Sequence, residues 1–143
     1  MRTTMSLLDD KTRTLWGQFS PRIHEIQHRM NEDRISLQVY PPVYFQHFQP
    51  GTEFDKWAAV EVNDVESIPS NMHGFELMGG YYAVFHRSGP SSDHSIFRWI
   101  FTEWLPRSGH TLDHRPHFEV LGPNYRVNDS HSEEEIWIPI MAE

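Results

Sequence analysis

The sequence predicts an α+β fold: two βαββ units, related by a pseudo-twofold axis, form one antiparallel sheet or half-barrel with two main helices and a central ligand cleft. Three observations predict it. Two apolar stripes at helical spacing stand one in each half of the chain, short alternating segments bounded by turn residues flank each stripe, and the pattern returns at an offset of 81 residues.

The first stripe runs from Thr14 to Met30, with Leu15, Trp16, Phe19, Ile23, Ile26 and Met30 at three- and four-residue steps. Pro21 interrupts it, so the helix either kinks there or restarts with Ser20 as cap and Pro21 in its first position. Ile35 to Tyr40 alternates as a strand, Leu37 and Val39 on one face and Ser36, Gln38 and Tyr40 on the other, and Pro41-Pro42 ends it. A loop with Pro50 and Gly51 leads to a strand over Trp57–Val62, and 63–71 reads as a polar connector. Strands are expected over Gly74–Met78 and Tyr81–His86, joined at Gly79-Gly80 by a tight turn. The second stripe is Ile96, Phe97, Ile100, Phe101, Trp104 and Leu105, closed by Pro106 and Gly109. Strands over Pro116–Leu121 and Glu135–Ile140 complete the pattern.

At the repeat offset Val39, Pro42 and Tyr44 lie over Val120, Pro123 and Tyr125, while Trp16, Phe19 and Ile23 lie over Phe97, Ile100 and Trp104. The chain therefore reads as one domain over residues 1–143, with repeats of approximately 1–62 and 74–140. A half unable to bury its sheet alone pairs with its twin, and their join is a natural cleft. Tyr82–Phe85 lies over Arg2–Met5, so the first strand is expected to be a stub near residue 1.

With 143 residues, 38% hydrophobic and 13% aromatic, the chain can bury a real core. Its 20 acidic against 12 basic side chains give −8 with His neutral, which opposes direct nucleic-acid binding. No apolar run approaches the roughly 20 residues of a membrane span, so a cytoplasmic location is expected. Absence of cysteine excludes disulfides, thiolate metal sites and a Cys nucleophile.

Among candidate site residues, Glu119 lies between Phe118 and Val120 on a strand. If Phe118 and Val120 pack on the helices, Glu119 faces the cleft, where a carboxylate among aromatic rings suits an organic cation. The alternative is a strand Glu facing water. Its repeat mate Gln38 is also polar. Trp16, Phe101, Trp104 and Trp137 either line a pocket or belong to the core. Tyr40 shares the Gln38 face and brings a phenol, and Tyr82 stands on a strand beside the second helix. His24 and His28 have metal-ligand spacing without a third ligand, and His110, Asp113, His114 and His117 read as a solvated loop, so no metal or cofactor is expected. Ser108 lacks the Gly-x-Ser-x-Gly turn of a hydrolase nucleophile. The run Glu133-Glu134-Glu135 reads as a solvated strand entrance.

Trp104-Leu105-Pro106, Ser108-Gly109, Arg115-Pro116-His117-Phe118-Glu119-Val120, Gly122-Pro123 and Glu133-Glu134-Glu135-Ile136-Trp137-Ile138-Pro139-Ile140 together resemble the C-terminal signature of the GyrI-like, or AraC-type effector-binding, family. Gly79-Gly80-Tyr81-Tyr82-Ala83-Val84-Phe85 resembles its central strand. The resemblance implies paired βαββ units, related to the SOUL haem-binding and BmrR multidrug-binding folds. It also implies an aromatic cleft for cationic or planar small molecules, a buried Glu matching Glu119 as polar anchor, and Trp104 and Tyr82 as walls. Tyr40 and Trp16 join them on repeat geometry. Family regulators carry a preceding helix-turn-helix domain for which these residues leave no room, so a stand-alone sensor or sequestering protein is expected. Two alternatives stay open: a small-molecule hydrolase with Glu119 as general base, and a protein-interaction module such as a DNA gyrase modulator. Ligand identity and oligomeric state are not specified.

Overall fold

The computed structural model describes residues 1–142. Six strands, β1 (Arg2–Met5), β2 (Arg34–Val39), β3 (Phe54–Ala59), β4 (Tyr81–Ser88), β5 (His117–Leu121) and β6 (Glu133–Ile140), form one open antiparallel sheet in the order β1-β3-β2-β5-β6-β4. Helix α1 (Thr12–Phe19) follows β1 and tightens into a 3-10 segment (Ser20–Glu25). Helix α2 (Ser95–Trp99) follows β4, widens into a π segment (Ile100–Trp104) and ends as α3 (Leu105–Ser108). Each half is therefore βαββ, and the halves meet where β2 pairs with β5.

The register of that seam displays the pseudo-twofold. Leu37 stands opposite Phe118, its own repeat mate, and the flanking pairs Ser36↔Glu119 and Gln38↔His117 exchange under the same offset. The outer pairs follow suit, Arg2↔Trp57 matching Ala83↔Ile138. Between them β6 slips by one residue: Trp57 faces Leu37, but Phe118 faces Trp137 rather than Ile138. Trp57 and Trp137 thus become equivalent neighbours of the seam.

Cross-strand partners share a face. One face carries the rows Ala58-Ser36-Glu119-Ile136-Phe85 and Lys56-Gln38-His117, and both helices cover it. Leu15 and Phe19 of α1 pack with Ala58 and Met72, and Ile100 packs on Ile136 and Ile138. Phe19 and Ile100 are at most 1% exposed, each burial worth about 2–3 kcal/mol. The other face carries Trp57-Leu37-Phe118-Trp137 and is crossed by the connector between β3 and β4.

Proline explains two irregularities. Pro106 lacks the N–H that would bond the Thr102 carbonyl and crowds that carbonyl, and the widened π turn stands just before it. Pro139 sits in an inner strand, yet β5 pairs with β6 only up to Trp137. Beyond that point β6 meets a loop, where the Pro139 carbonyl accepts from Asp113 N–H at 3.0 Å.

Several sequence expectations are corrected. The helical stripe to Met30 ends at Glu25, because Ile26 turns extended. The strand expected at Trp57–Val62 begins at Phe54 and ends at Ala59. Gly74–Met78 is not a strand and Gly79-Gly80 is not a hairpin turn: β4 pairs with β6 alone and offers 74–78 no partner. Gly80 instead admits the Arg115 side chain, whose Cζ lies 2.6 Å from where a Cβ would stand. Phe118 and Val120 face away from the helices, so Glu119 lies beneath them. The short first strand falls where the repeat put it, at Arg2–Met5, and pairs with β3 over its four residues.

Candidate functional site

Glu119 occupies the middle of the helix-covered face, beside Ser36 on one strand and Ile136 on the other. Its Oε2 is buried and has no hydrogen-bond partner, although the residue as a whole keeps some solvent access. Burial raises the carboxyl above its ordinary pKa; Lys56 opposes this shift, Glu134 adds to it, and hydrogen bonding from Gln38 favours the charged form. Lys56 is itself buried, which lowers its pKa against the pull of Glu119. Glu134 accepts a 3.0 Å bond from Arg87, and both side chains of this pair are below 10% exposed. Two carboxylates and two cations therefore share the space under the helices and roughly balance.

Aromatic rings from the segment after β2 fill the floor beside Glu119. Tyr40 lies 4.5–5.0 Å from Tyr44, Phe45, Phe54 and His117. Phe45 stacks on Phe101 of the π segment at 5.0 Å and on His117 at 5.1 Å. Desolvation drops the His117 pKa to about 3, so the imidazole is neutral and behaves as one more flat ring. The segment turns sharply to present these rings: Val43, a β-branched residue, sits at φ 62° in the left-handed region. Stacked rings, one carboxylate oxygen without a hydrogen-bond partner and a neutral imidazole thus lie together under the helices.

A model of the GyrI-like small-molecule-binding domain matches residues 1–141. This chain belongs to the GyrI-like family. The GyrI-like chain is also similar to the transcriptional regulator BrlR of Pseudomonas aeruginosa, with 28% identity over 128 residues, covering 88% of this chain and 45% of the regulator. It spans less than half of that relative's length.

Within the GyrI-like chain the expected site residues separate into three places. Tyr40 and Phe101 are joined through Phe45 and His117 beneath the helices, on the face of Glu119. Trp16 and Trp104 pack with their own helix cores: Trp16 edge-on to Phe19 at 5.7 Å, Trp104 against Phe85 at 4.9 Å. Tyr82 lies on the opposite face, against Phe118 and Trp137, with the Arg115 guanidinium 4.5 Å from its ring centre. Phe45 and Lys56 escaped the sequence reading, and His117, read there as part of a solvated loop, is instead a buried residue of β5. Alternation of Phe54, Lys56 and Ala58 carried the signal for Lys56, but the preceding charges disguised the strand start. His28 adopts a positive φ outside the helix, so the His24/His28 spacing does not become a helical pair. Among the described residues no group of three His, Asp or Glu side chains is placed to hold a metal ion, and no helix is long and apolar enough to cross a membrane.

Proposed function

We propose that the GyrI-like chain is an effector-binding module, a sensor or sequestering protein, whose small-molecule ligand is hydrophobic and planar or cationic and is anchored by Glu119. The observation that carries this reading is the buried, unpartnered Oε2 of Glu119 amid Tyr40, Phe45, Phe101 and His117. A ligand N–H directed at that oxygen supplies the hydrogen bond it lacks. Its flat body takes the place of the Phe45 ring on Phe101 and His117. Tyr40 supplies the edge of the slot, while Trp104 and Trp16 hold the helices that roof it. Similarity to a transcriptional regulator supports a sensing role, as does the match to a small-molecule-binding family.

The test is a thermal-shift screen of planar aromatic amidines and dyes on the wild type, Glu119→Gln and Phe45→Ala, since a ligand bound to the native state raises its melting temperature. At least one compound is expected to stabilise the wild type by several degrees, with a smaller shift in Glu119→Gln and a larger one in Phe45→Ala, where no ring must be displaced. Equal shifts in all three proteins would remove Glu119 from the site. The raised pKa of Glu119 also favours a second reading, a hydrolase in which this carboxylate takes a proton from attacking water. Appearance of a cleaved product from a stabilising compound, abolished in Glu119→Gln, separates turnover from binding.

A further inference from the structure

We infer that the GyrI-like chain has a second ligand site, on the sheet face away from the helices, which takes an apolar aromatic cation. Here lies a cavity of about 690 Å³, within the range of about 300–1,000 Å³ usual for small-molecule sites, whose lining continues to Met1, Phe19, Ala58 and Met72 on the α1 side. Its floor is the cross-strand row Trp57-Leu37-Phe118-Trp137, with the two tryptophans disposed symmetrically about the pseudo-twofold. Its far wall is the connector, which contributes Val65, Ile68, Phe75 and Leu77. These four are each 40% or more exposed although Phe75 meets the Trp57 ring edge-on at 5.0 Å. A partly open apolar concavity of this kind marks an interaction site.

The charge around the cavity names the ligand class. Asp33, Glu61, Asp64, Glu76 and Glu135 line it, with no Lys or Arg among the described lining residues. Around Glu119, by contrast, Lys56 and Arg87 offset the carboxylates. A cleft whose carboxylates outnumber the nearby cationic groups, the Met1 amine and Arg2, concentrates positive counter-charge between apolar walls. The indole faces suit the same ligand: the Arg2 guanidinium already rests 5.7 Å from the Trp57 ring centre, an internal example of the contact a bound cation would make. Glu135 points its Oε1 toward Trp137 Nε1, 3.5 Å away, so one carboxylate stands directly beside the second indole. A planar cation stacked on Trp57 or Trp137 meets charge at the rim and aromatic area on the floor. This site does not depend on Glu119, which lies on the other side of the sheet.

Tryptophan fluorescence tests the assignment, because Trp57 and Trp137 line the cavity whereas Trp16, Trp99 and Trp104 ride on the helices. Titration with the cationic dye ethidium is expected to quench emission saturably, with the anionic dye anilinonaphthalene sulfonate binding at least tenfold more weakly. Combining Glu61→Gln, Asp64→Asn and Glu76→Gln, all in the connector region and remote from the core clusters, should weaken ethidium at least tenfold. Trp57→Phe with Trp137→Phe should abolish the quenching. Two results overturn the inference: equal affinity in the triple variant, or no saturable quenching up to millimolar dye. A chain that binds neither dye and sediments as a dimer also overturns it, assigning the face to a second copy. Failure at Glu119 and failure at this cavity are read by different variants, so either site can fall without the other.

Discussion

At position 117 a histidine stands where its repeat mate is a serine, and burial holds its pKa near 3 against an ordinary 6.5. The folded state therefore keeps His117 neutral while the unfolded chain takes up a proton as pH falls below 6.5, so stability drains away from there toward pH 3. At pH 4.5 the loss from this one residue is about 2–3 kcal/mol. The raised carboxyls of Glu119 and Glu134 act in the opposite sense, because the folded state holds their protons more tightly and gains as pH falls toward the ordinary carboxylate range. Comparison of the wild type with His117→Phe separates the two effects. In urea unfolding at pH 7 and 4.5, the wild type should lose about 2–3 kcal/mol relative to the variant between the two conditions. A difference independent of pH would show that His117 titrates normally. Glu119 itself was legible as a candidate from its place between Phe118 and Val120. Its surroundings were not: alternation reports which residues share a face, but not which face the helices choose.

At the scale of elements, the turn after β2 is strained to present its rings. Val43 at φ 62° carries a branched side chain in a region that disfavours it by roughly 1–2 kcal/mol. Val43 is 56% exposed, so replacing it removes no core contact. Val43→Asn, which tolerates that backbone, is expected to stabilise the protein by about 0.5–1 kcal/mol, seen as a higher midpoint in chemical denaturation with unchanged slope. A lower midpoint would mean that the valine side chain makes a stabilising contact. The helical stripes were readable because Leu15, Phe19 and Ile100 recur at a period that only a helix can bury. The start of β3 was not, since Asp55 and Lys56 look like loop residues although Lys56 is buried against Glu119. Gly74–Met78 misled for the converse reason. Phe75 and Leu77 alternate as a strand would, but they line a cavity and have no neighbouring strand to pair with.

Across the whole molecule, the offset of 81 residues in the sequence becomes a twofold written into hydrogen-bond register, and only the slip in β6 departs from it. That slip was invisible in the sequence, where Trp57 and Trp137 do not align, yet it sets the two indoles symmetrically about the seam. The seam has a consequence for time as well as space. Within each half, α1 and α2 are local structures, but the β2–β5 pairs join residues about 80 positions apart, and such distant closures delay folding. Each half can collect its helix on its own strands first; the row Trp57-Leu37-Phe118-Trp137 is complete only when the halves dock. Rapid dilution from urea into buffer, followed by intrinsic fluorescence and by far-ultraviolet circular dichroism, should therefore show helix signal ahead of the burial of Trp57 and Trp137. The newly made chain completes its aromatic row last, and a molecule that captures it at that moment would act as the latch on the finished fold.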